Sequence, residues 1–244
     1  MAVASLIGPL PSVWSYFAPD DPVELRRTWD QAEVYFLADG QVVEGMVNDD
    51  RVRNGVQTLS QQVKLPALVY LHGCKGIERD QGVEFWHQLA HAGYVVIRPD
   101  SFARRHRPQQ CGKQVPWIYQ ARLFEVEYAL EQMRTLPWID INNMVLYGHS
   151  EGGVAASRYA GLAFDGVIIS AASCQKYAVR VPALAIGSVH DQQLKGQFCR
   201  QAQDLLLLTG DLHQILDDPE ARERIRAFIE GVTGFRIGYG RGLP

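Results

Sequence analysis

Long hydrophobic runs are lacking in this chain: none approaches the roughly 18 apolar residues that would suggest a membrane-spanning helix. An excess of positive charge is lacking too, since 24 Lys and Arg stand against 27 Asp and Glu, which gives a formal net charge of -3. This balance offers no electrostatic case for a nucleic-acid partner. We therefore expect neither a membrane span nor nucleic-acid binding.

Redox and metal motifs are also scarce. The four cysteines, Cys74, Cys111, Cys174 and Cys199, form no C-x-x-C pair, which argues against a thiol-redox motif or a zinc site. Carboxylates do not cluster, so metal-dependent hydrolysis is disfavoured. We expect no metal and no cofactor.

A targeting signal is only weakly indicated. Met1–Pro11 is mildly apolar, but it contains no Lys or Arg, and Pro9 and Pro11 come early. The cysteine count does not decide the compartment either. We favour the cytoplasm and keep the periplasm and secretion as alternatives.

From about residue 65 onward, short apolar runs alternate with helical segments. Strands are predicted over Ala67–Leu71, Tyr94–Arg98, Met144–Tyr147, Val167–Ser170, Ala183–Ile186 and Leu205–Leu208, and helices over Gly82–Ala92, Ile118–Arg134, Gly153–Tyr159 and Pro219–Gly231. This alternation predicts an α/β fold, in which a mostly parallel central sheet carries helices on both faces. At 244 residues the chain can bury such a sheet, and we predict a single domain over residues 1–244.

The first 60 residues are predicted to extend the same sheet. Two strand patterns, Thr28–Leu37 and Gln41–Asn48, are joined at Asp39-Gly40, a dipeptide typical of a tight hairpin turn. We therefore expect an N-terminal β-hairpin within the domain.

The pentapeptide Gly148-His149-Ser150-Glu151-Gly152 matches G-x-S-x-G and stands between a predicted strand and a predicted helix. In that context the motif is typical of a nucleophile elbow, a sharp turn in which glycines make room for a strained serine. We predict an α/β-hydrolase fold with Ser150 as the nucleophile. An ordinary structural turn is the alternative.

A serine hydroxyl needs a base to take its proton, and in this fold the chain order is Ser, acid, His. Asp191 and His213 each follow a predicted strand downstream of Ser150. They therefore belong to the edge of the sheet where the carboxyl ends of the strands gather. We predict His213 as the general base and Asp191 as the acid that orients it.

Other downstream candidates fit less well. His190 precedes any suitable acid in the required order, so we interpret it as a loop residue. Asp204 precedes its strand, and Asp211 is too close in sequence to the base. Asp217 and Asp218 are better placed to cap the last helix.

Two backbone N–H groups are expected to stabilise the negative charge of the tetrahedral intermediate. One belongs to Glu151, directly after the nucleophile. The second is expected in the loop after the strand Ala67–Leu71, where we favour Cys74 and keep Gly73 as the neighbouring choice. A simple turn is the alternative for this loop.

The cysteines fall in loops that we assign to the same edge of the sheet. Cys174 follows a strand and Cys199 lies eight residues past Asp191, so a Cys174–Cys199 disulfide is geometrically reasonable. Cys74–Cys111 is then the second pair. Buried free thiols are the alternative.

These features resemble the dienelactone hydrolase family of α/β-hydrolases over about residues 65–230. The resemblance lies in Tyr70–Cys74, in Arg98–Arg104, in the elbow and in the loops of Asp191 and His213. It implies hydrolysis of a carboxylic ester or lactone without a cofactor, and it supports the three catalytic assignments. The enzyme that names the family carries a cysteine where this chain has Ser150.

The same resemblance makes Arg104 a candidate substrate-binding residue. It falls where the enzyme that names the family has an arginine that holds a substrate carboxylate. The alternative is that Arg104, Arg105 and Arg107 form a solvated basic loop.

The predicted function is therefore that of a serine hydrolase acting on esters or lactones, with a small soluble molecule as substrate. An amidase or peptidase with the same triad is one alternative, because the nucleophile chemistry is shared. A catalytically inactive, hydrolase-like binding protein is the other, although it would have no need of all three residues. The oligomeric state stays open.

A lid over the site is not expected. The connection Ala171–Pro182 is barely the dozen residues that a crossover needs, which leaves no room for a helical cap. We predict an open cleft bounded by His72–Ile77, Ser101–Pro116 and Cys174–Arg180, unless Met1–Asp21 folds over it.

Overall fold

A computed structural model of the chain describes residues 18–59, 63–77, 82–105, 107, 111 and 116–235. In chain order, its helices and strands are α1 (Pro22–Asp30), β1 (Glu33–Ala38), β2 (Gln41–Met46), α2 (Asp50–Thr58), β3 (Leu65–Leu71), α3 (Val83–His91), β4 (Val95–Arg98), α4 (Pro116–Met133), β5 (Ile139–His149), α5 (Glu151–Ala156), β6 (Gly166–Ser170), β7 (Ala183–Ser188), β8 (Asp204–Leu208) and α6 (Pro219–Thr233).

These strands form one sheet in the order β2-β1-β4-β3-β5-β6-β7-β8. Strands β3 to β8 pair in parallel, while β1 runs antiparallel to both β2 and β4. Every residue of β3, β4, β6 and β7 is buried, as expected for strands covered on both faces. The predicted α/β fold with a mostly parallel sheet is confirmed.

Helices cover both faces of the sheet and create two separate cores. On one face, side chains of α4 and α5 such as Val126, Leu130 and Ala155 pack against the strands, together with Trp29 from α1. On the other face, α3 and α6 supply the packing side chains, which include Trp86, Leu89, Ile225 and Ile229. The central strands are therefore buried between two layers of helices.

The N-terminal hairpin forms, but its first strand is shorter than predicted. Residues 28–30, predicted as strand, are the last turn of α1. This helix begins at Pro22 because the Asp21 carboxylate accepts hydrogen bonds from the N–H groups of Val23 (2.8 Å) and Glu24 (3.4 Å). The turn at Asp39 and Gly40 has positive φ at both residues, as a two-residue hairpin of this kind requires.

Helix α2 was not predicted, because Asn and Gly in its middle lower the helix propensity. Its Gly55 packs closely on β2: a Cβ added there would lie 2.8 Å from Val43 Cγ2. Packing on the sheet therefore overrides the weak local preference. The strand before the elbow is longer than predicted, and α5 begins at Glu151 rather than at Gly153.

The connection between β6 and β7 contains no helix or strand, so the fold has no cap there, as predicted. Tyr177 and Val179 of this connection pack against the core on the α4–α5 face, and Ala178 N donates to Ser157 O at 2.8 Å. No helix in the described part of the chain is long and apolar enough to cross a membrane.

Both disulfides considered from the sequence form. Cys74 is bonded to Cys111, and Cys174 to Cys199. Each joins two loops that follow different strands of the sheet, so the pairing depends on the sheet order.

Candidate active site

Three side chains meet at the carboxyl edge of the sheet. Ser150 follows β5, Asp191 follows β7, and His213 follows β8. His213 Nε2 lies 2.9 Å from Ser150 Oγ, and His213 Nδ1 lies 2.7 Å from Asp191 Oδ2. The predicted nucleophile, base and acid are thus brought into one continuous chain of hydrogen bonds, although they are distant in sequence.

The turn at Ser150 is strained and very tightly packed. Ser150 has φ 54° and ψ −114°, in a region that side-chain-bearing residues rarely occupy. A Cβ added at Gly148 would lie 2.2 Å from Gly152 O, and one added at Gly152 would lie 2.1 Å from Leu71 O. Both glycines of the motif are therefore required for the close approach of strand and helix that presents Ser150.

Asp191 is held in place by backbone donors. Asp191 is buried, with only 1% of its side chain exposed. Oδ1 accepts hydrogen bonds from the N–H groups of Gln193 (2.8 Å) and Leu194 (3.3 Å), which leaves Oδ2 to accept from His213. A buried carboxylate needs such partners, and here they also fix its direction toward the imidazole.

The loops after β7 and β8 are tied to each other. Val189 N donates to Leu208 O at 2.9 Å, and His190 N donates to Gly210 O at 3.2 Å. The Ser188 hydroxyl also donates to Gly210 O. These bonds bind the segment that carries Asp191 to the segment that carries His213, so the two side chains keep their relative positions.

The alternative acids and histidine lie elsewhere. Asp204 pairs with Arg224 on the side of the sheet away from the elbow, and Asp218 caps α6 by accepting from Ala221 N at 2.9 Å. His190 and Asp211 are exposed.

His149, the residue before Ser150, is a buried neighbour of the base. Its ring centroid lies 5.1 Å from that of His213, in an edge-to-face arrangement. Burial, with a smaller contribution from the nearby His213, lowers the pKa of His149 to about 3. His149 is therefore neutral at ordinary pH and adds no positive charge beside the base.

The two predicted oxyanion donors flank Ser150. Ser150 N donates to Ser170 O at 2.8 Å, whereas Glu151 opens α5, where the first N–H groups have no partner within the helix. On the other side the loop after β3 comes very close, since a Cβ added at Gly73 would lie 3.3 Å from Ser150 Cβ. Cys74 follows in this loop and lines the same cleft.

The cleft at Ser150 is shallow, and polar groups, glycines and a cystine line it. Its volume is about 30 Å³, and its lining consists of Gly73, Cys74, Lys75, Gly76, His149, Ser150, Gln193, His213 and Gln214. The prediction that Cys174–Arg180 bounds the cleft is wrong, because this loop turns to cover the core beside α5. Gln193 and Gln214 take its place. The described residues of Ser101–Pro116 do not line the cleft, and residues 1–17 lie outside the described part of the chain.

Arg104 is engaged inside the protein. Its Nε donates to Glu125 Oε1 at 2.7 Å and its Nη2 to Pro19 O at 2.9 Å, and its side chain is 6% exposed. It is not among the cleft residues. The alternative of a solvated basic loop is wrong for Arg104 and for Arg107, which pairs with Glu151 and is 2% exposed; Arg105 alone is exposed.

No group of three or more His, Cys, Asp or Glu side chains within the described residues is arranged to hold a metal ion. His87 and His91 stand four residues apart on α3, a spacing that zinc sites use. His87 Nε2, however, lies 2.7 Å from Glu44 Oε2 in a surface pair.

Sequence reasoning missed a buried polar network behind the Gly73–Cys74 loop. Its members are His72, Ser101, Arg122 and Glu125, all at most 1% exposed. Arg122 and Glu125 are three residues apart on α4, a spacing that usually indicates a surface ion pair. What separates this buried pair from a surface pair is its contact with polar residues from other elements, such as His72 and Ser101. The sequence does not show those contacts.

Comparison with solved structures finds similar chains, among them the following two. A protein of Klebsiella pneumoniae subsp. pneumoniae, assigned as a dienelactone hydrolase, is 13% identical with a TM-score of 0.53, covering 83% of this chain and 98% of that one. The acylaminoacyl peptidase of Pyrococcus horikoshii is 14% identical with a TM-score of 0.49, covering 87% of this chain but only 43% of the peptidase. No curated protein sequence matches the chain.

The model of the dienelactone hydrolase family matches residues 54–186, which is more than half of the chain. The matched region contains the loop of Cys74 and the elbow of Ser150, and it ends before Asp191 and His213. Together with the mostly parallel sheet, it confirms the resemblance noted from the sequence. The chain belongs to the dienelactone hydrolase family.

Proposed function

We propose that this hydrolase cleaves small carboxylic esters or lactones through an acyl-enzyme formed on Ser150. The observation that carries the proposal is the continuous hydrogen-bond chain from Ser150 Oγ through His213 to Asp191 at the carboxyl edge of the sheet. A nucleophile, a base and an orienting acid within hydrogen-bond distance form the arrangement that acyl transfer requires.

The direction of the proton transfers follows from the hydrogen bonds. The Asp191 carboxylate accepts the Nδ1–H of His213, so Nε2 carries the free lone pair and can take the proton of Ser150 Oγ. Ser150 Oγ then bonds to the carbonyl carbon, and the N–H groups of Cys74 and Glu151 stabilise the oxyanion. His213 gives its proton to the leaving alcohol as the C–O bond breaks.

Water completes the cycle. His213 Nε2 removes a proton from a water molecule, whose oxygen attacks the acyl carbon of the ester on Ser150. The second tetrahedral intermediate collapses, the Ser150 Oγ–C bond breaks, and Oγ recovers its proton from His213. The products are a carboxylic acid and, from the first half, an alcohol; a lactone gives both in one molecule.

The lining of the cleft supports a short substrate. Among the described residues that line the cleft, the two histidines are the only aromatic side chains, and none is Val, Leu, Ile or Met. Each CH₂ of an acyl chain would gain about 0.8 kcal/mol from a buried apolar wall, and the described lining offers no such wall. Long acyl chains should therefore gain little in binding.

We expect kcat/KM to fall, or at least not to rise, as p-nitrophenyl esters lengthen from acetate to octanoate. Initial rates below each solubility limit measure this, with p-nitroacetanilide as the matched amide. A preference for octanoate, or a jump in rate above its solubility limit, would reveal an apolar cover. Faster turnover of the anilide than of the acetate ester would favour the amidase alternative.

The Cys74–Cys111 disulfide should contribute to the kcat of ester hydrolysis, because it anchors the residue whose N–H is proposed to bind the oxyanion. The two disulfides span 37 and 25 residues, so removal of either should lower the free energy of unfolding by about 3–4 kcal/mol. Replacing both Cys74 and Cys111 by Ser should also lower kcat about tenfold. This loss is smaller than the one expected when an oxyanion donor is removed outright.

The double replacement of Cys174 and Cys199 by Ser is the matched control, since neither residue lines the cleft. It should lose similar stability and keep kcat. Denaturant unfolding and ester hydrolysis, both measured on the two variants, make the comparison. Equal kcat in both would show that the first disulfide only stabilises the fold.

A further inference from the structure

We infer that His72 is a positioning residue that orients the Gly73–Cys74 peptide as an oxyanion donor, and that it does so as a neutral imidazole protonated on Nδ1. The inference rests on the proposed function, since it assigns a task to a residue behind the proposed oxyanion site. His72 is fully buried behind the loop that approaches Ser150.

The hydrogen bonds around His72 decide its tautomer. Nδ1 lies 2.7 Å from Gly73 O, which can only accept, so Nδ1 carries the proton. Nε2 lies 3.1 Å from Ser101 N and 3.1 Å from Arg122 Nη1, and both of these groups only donate. Nε2 must therefore be the unprotonated nitrogen.

The charges around the ring agree with a neutral imidazole. Burial lowers the pKa of His72 well below its usual range, and the guanidinium groups of Arg122 and Arg107 lower it further. Asp100 Oδ1 lies 3.7 Å from His72 Nε2, and a carboxylate there favours the protonated ring. This oxygen already accepts a hydrogen bond from Phe102 N at 2.8 Å.

The bond from Nδ1 fixes the direction of the next N–H. In a trans peptide the carbonyl and the following N–H point in opposite directions, and the described residues contain no cis peptide bond. With Gly73 O held by His72 Nδ1 and also by Gly76 N at 3.2 Å, the N–H of Cys74 must point away from His72. Cys74 lines the cleft of Ser150, so the N–H is presented on the cleft side of the loop.

A network on α4 holds His72 itself. Arg122 Nη2 donates to His72 O at 3.2 Å, and Arg122 Nη1 lies 3.1 Å from Glu125 Oε2. Glu125 in turn accepts from Ser101 Oγ (2.9 Å) and Arg104 Nε (2.7 Å). Among the described residues Arg122 Nε has no hydrogen-bond partner, but the other bonds of this buried network hold His72 from two sides. Such support is what a preorganised donor needs. Arg104 thus acts through Glu125 rather than on the substrate.

Two substitutions at His72 separate orientation from packing. In His72→Asn the amide nitrogen falls near the position of Nδ1 and can still donate to Gly73 O, whereas in His72→Gln it falls near Nε2 and cannot. Both variants remove the ring from the same buried site, so both should lower the unfolding temperature.

We expect His72→Gln to lower kcat by about 10², the cost of a misplaced oxyanion donor, with KM nearly unchanged. His72→Asn should stay within about tenfold of the wild type. Equal kcat values in the two variants, or losses confined to KM, would overturn the inference. As a control, a fluorophosphonate must label the wild-type protein at Ser150. Absence of labelling would refute the proposed function rather than the role of His72.

A second measurement does not depend on how the variants fold. Long-range ¹H–¹⁵N correlation spectra of histidine-labelled wild-type protein distinguish the two imidazole tautomers. We expect the His72 signals to show the Nδ1–H form, assigned by their loss in His72→Asn or, failing that, by specific labelling. An Nε2–H or doubly protonated His72 at neutral pH would contradict the inference.

Discussion

Ser150→Ala is expected to abolish ester hydrolysis, with a fall in kcat of about 10⁶, the size of effect seen when a nucleophile is removed from a triad. The physical reason is that no covalent intermediate can form, so only the oxyanion donors and binding remain. Fluorophosphonate labelling of the native protein should disappear in the variant.

The fold should survive this change. Ser150 donates its backbone N–H to Ser170 O, and alanine keeps that bond. The variant loses only Oγ at a site whose tight contacts come from Gly148 and Gly152. Thermal unfolding close to that of the wild type is therefore the control. Undiminished labelling or activity of Ser150→Ala would show that another residue is the nucleophile.

Asp191→Asn is expected to lower kcat by about 10⁴. The Asn side chain can present its NH₂ group to His213, which favours the wrong tautomer, with the proton on Nε2 facing Ser150. His213→Ala should lower kcat by about 10³ or more, because the base itself is lost. Steady-state hydrolysis of p-nitrophenyl acetate measures both effects.

Asp217→Asn and Asp218→Asn are suitable comparisons, because Asp217 is exposed and Asp218 caps α6. Both variants should keep kcat, and Asp218→Asn should lose little stability, since Asn also caps helices well. If Asp191→Asn were active while either comparison variant failed, the acid would have been assigned wrongly.

The contacts that support the proposed triad explain why the effects should be large. Asp191 is fixed by two backbone N–H groups, and the loops of Asp191 and His213 are tied through Gly210. A base held this firmly reaches Ser150 without reorganisation. Loss of one member therefore leaves the others in place but unable to act, which is why triad members behave as a unit.

The sequence by itself determined the features that depend on neighbouring residues. Apolar runs of four or five residues marked the buried strands, because a strand covered on both faces is made mostly of apolar residues. The elbow around Ser150 could be recognised because G-x-S-x-G stands between a predicted strand and a predicted helix. Gly148 packs within that unit, whereas Gly152 packs against Leu71 of β3. The chain order Ser, acid, His that this fold uses, together with strand ends that gather at one edge, then pointed to Asp191 and His213.

Only the tertiary structure decided the features that depend on distant partners. Cys174–Arg180 turned toward the α4–α5 core rather than the cleft. Arg122 and Glu125 stand three residues apart on α4, a spacing typical of exposed ion pairs, yet both are buried. There they bond to each other and to His72, Ser101 and Arg104. Burial of a charge depends on partners that the fold brings together from elsewhere in the chain, and local pattern does not carry that information.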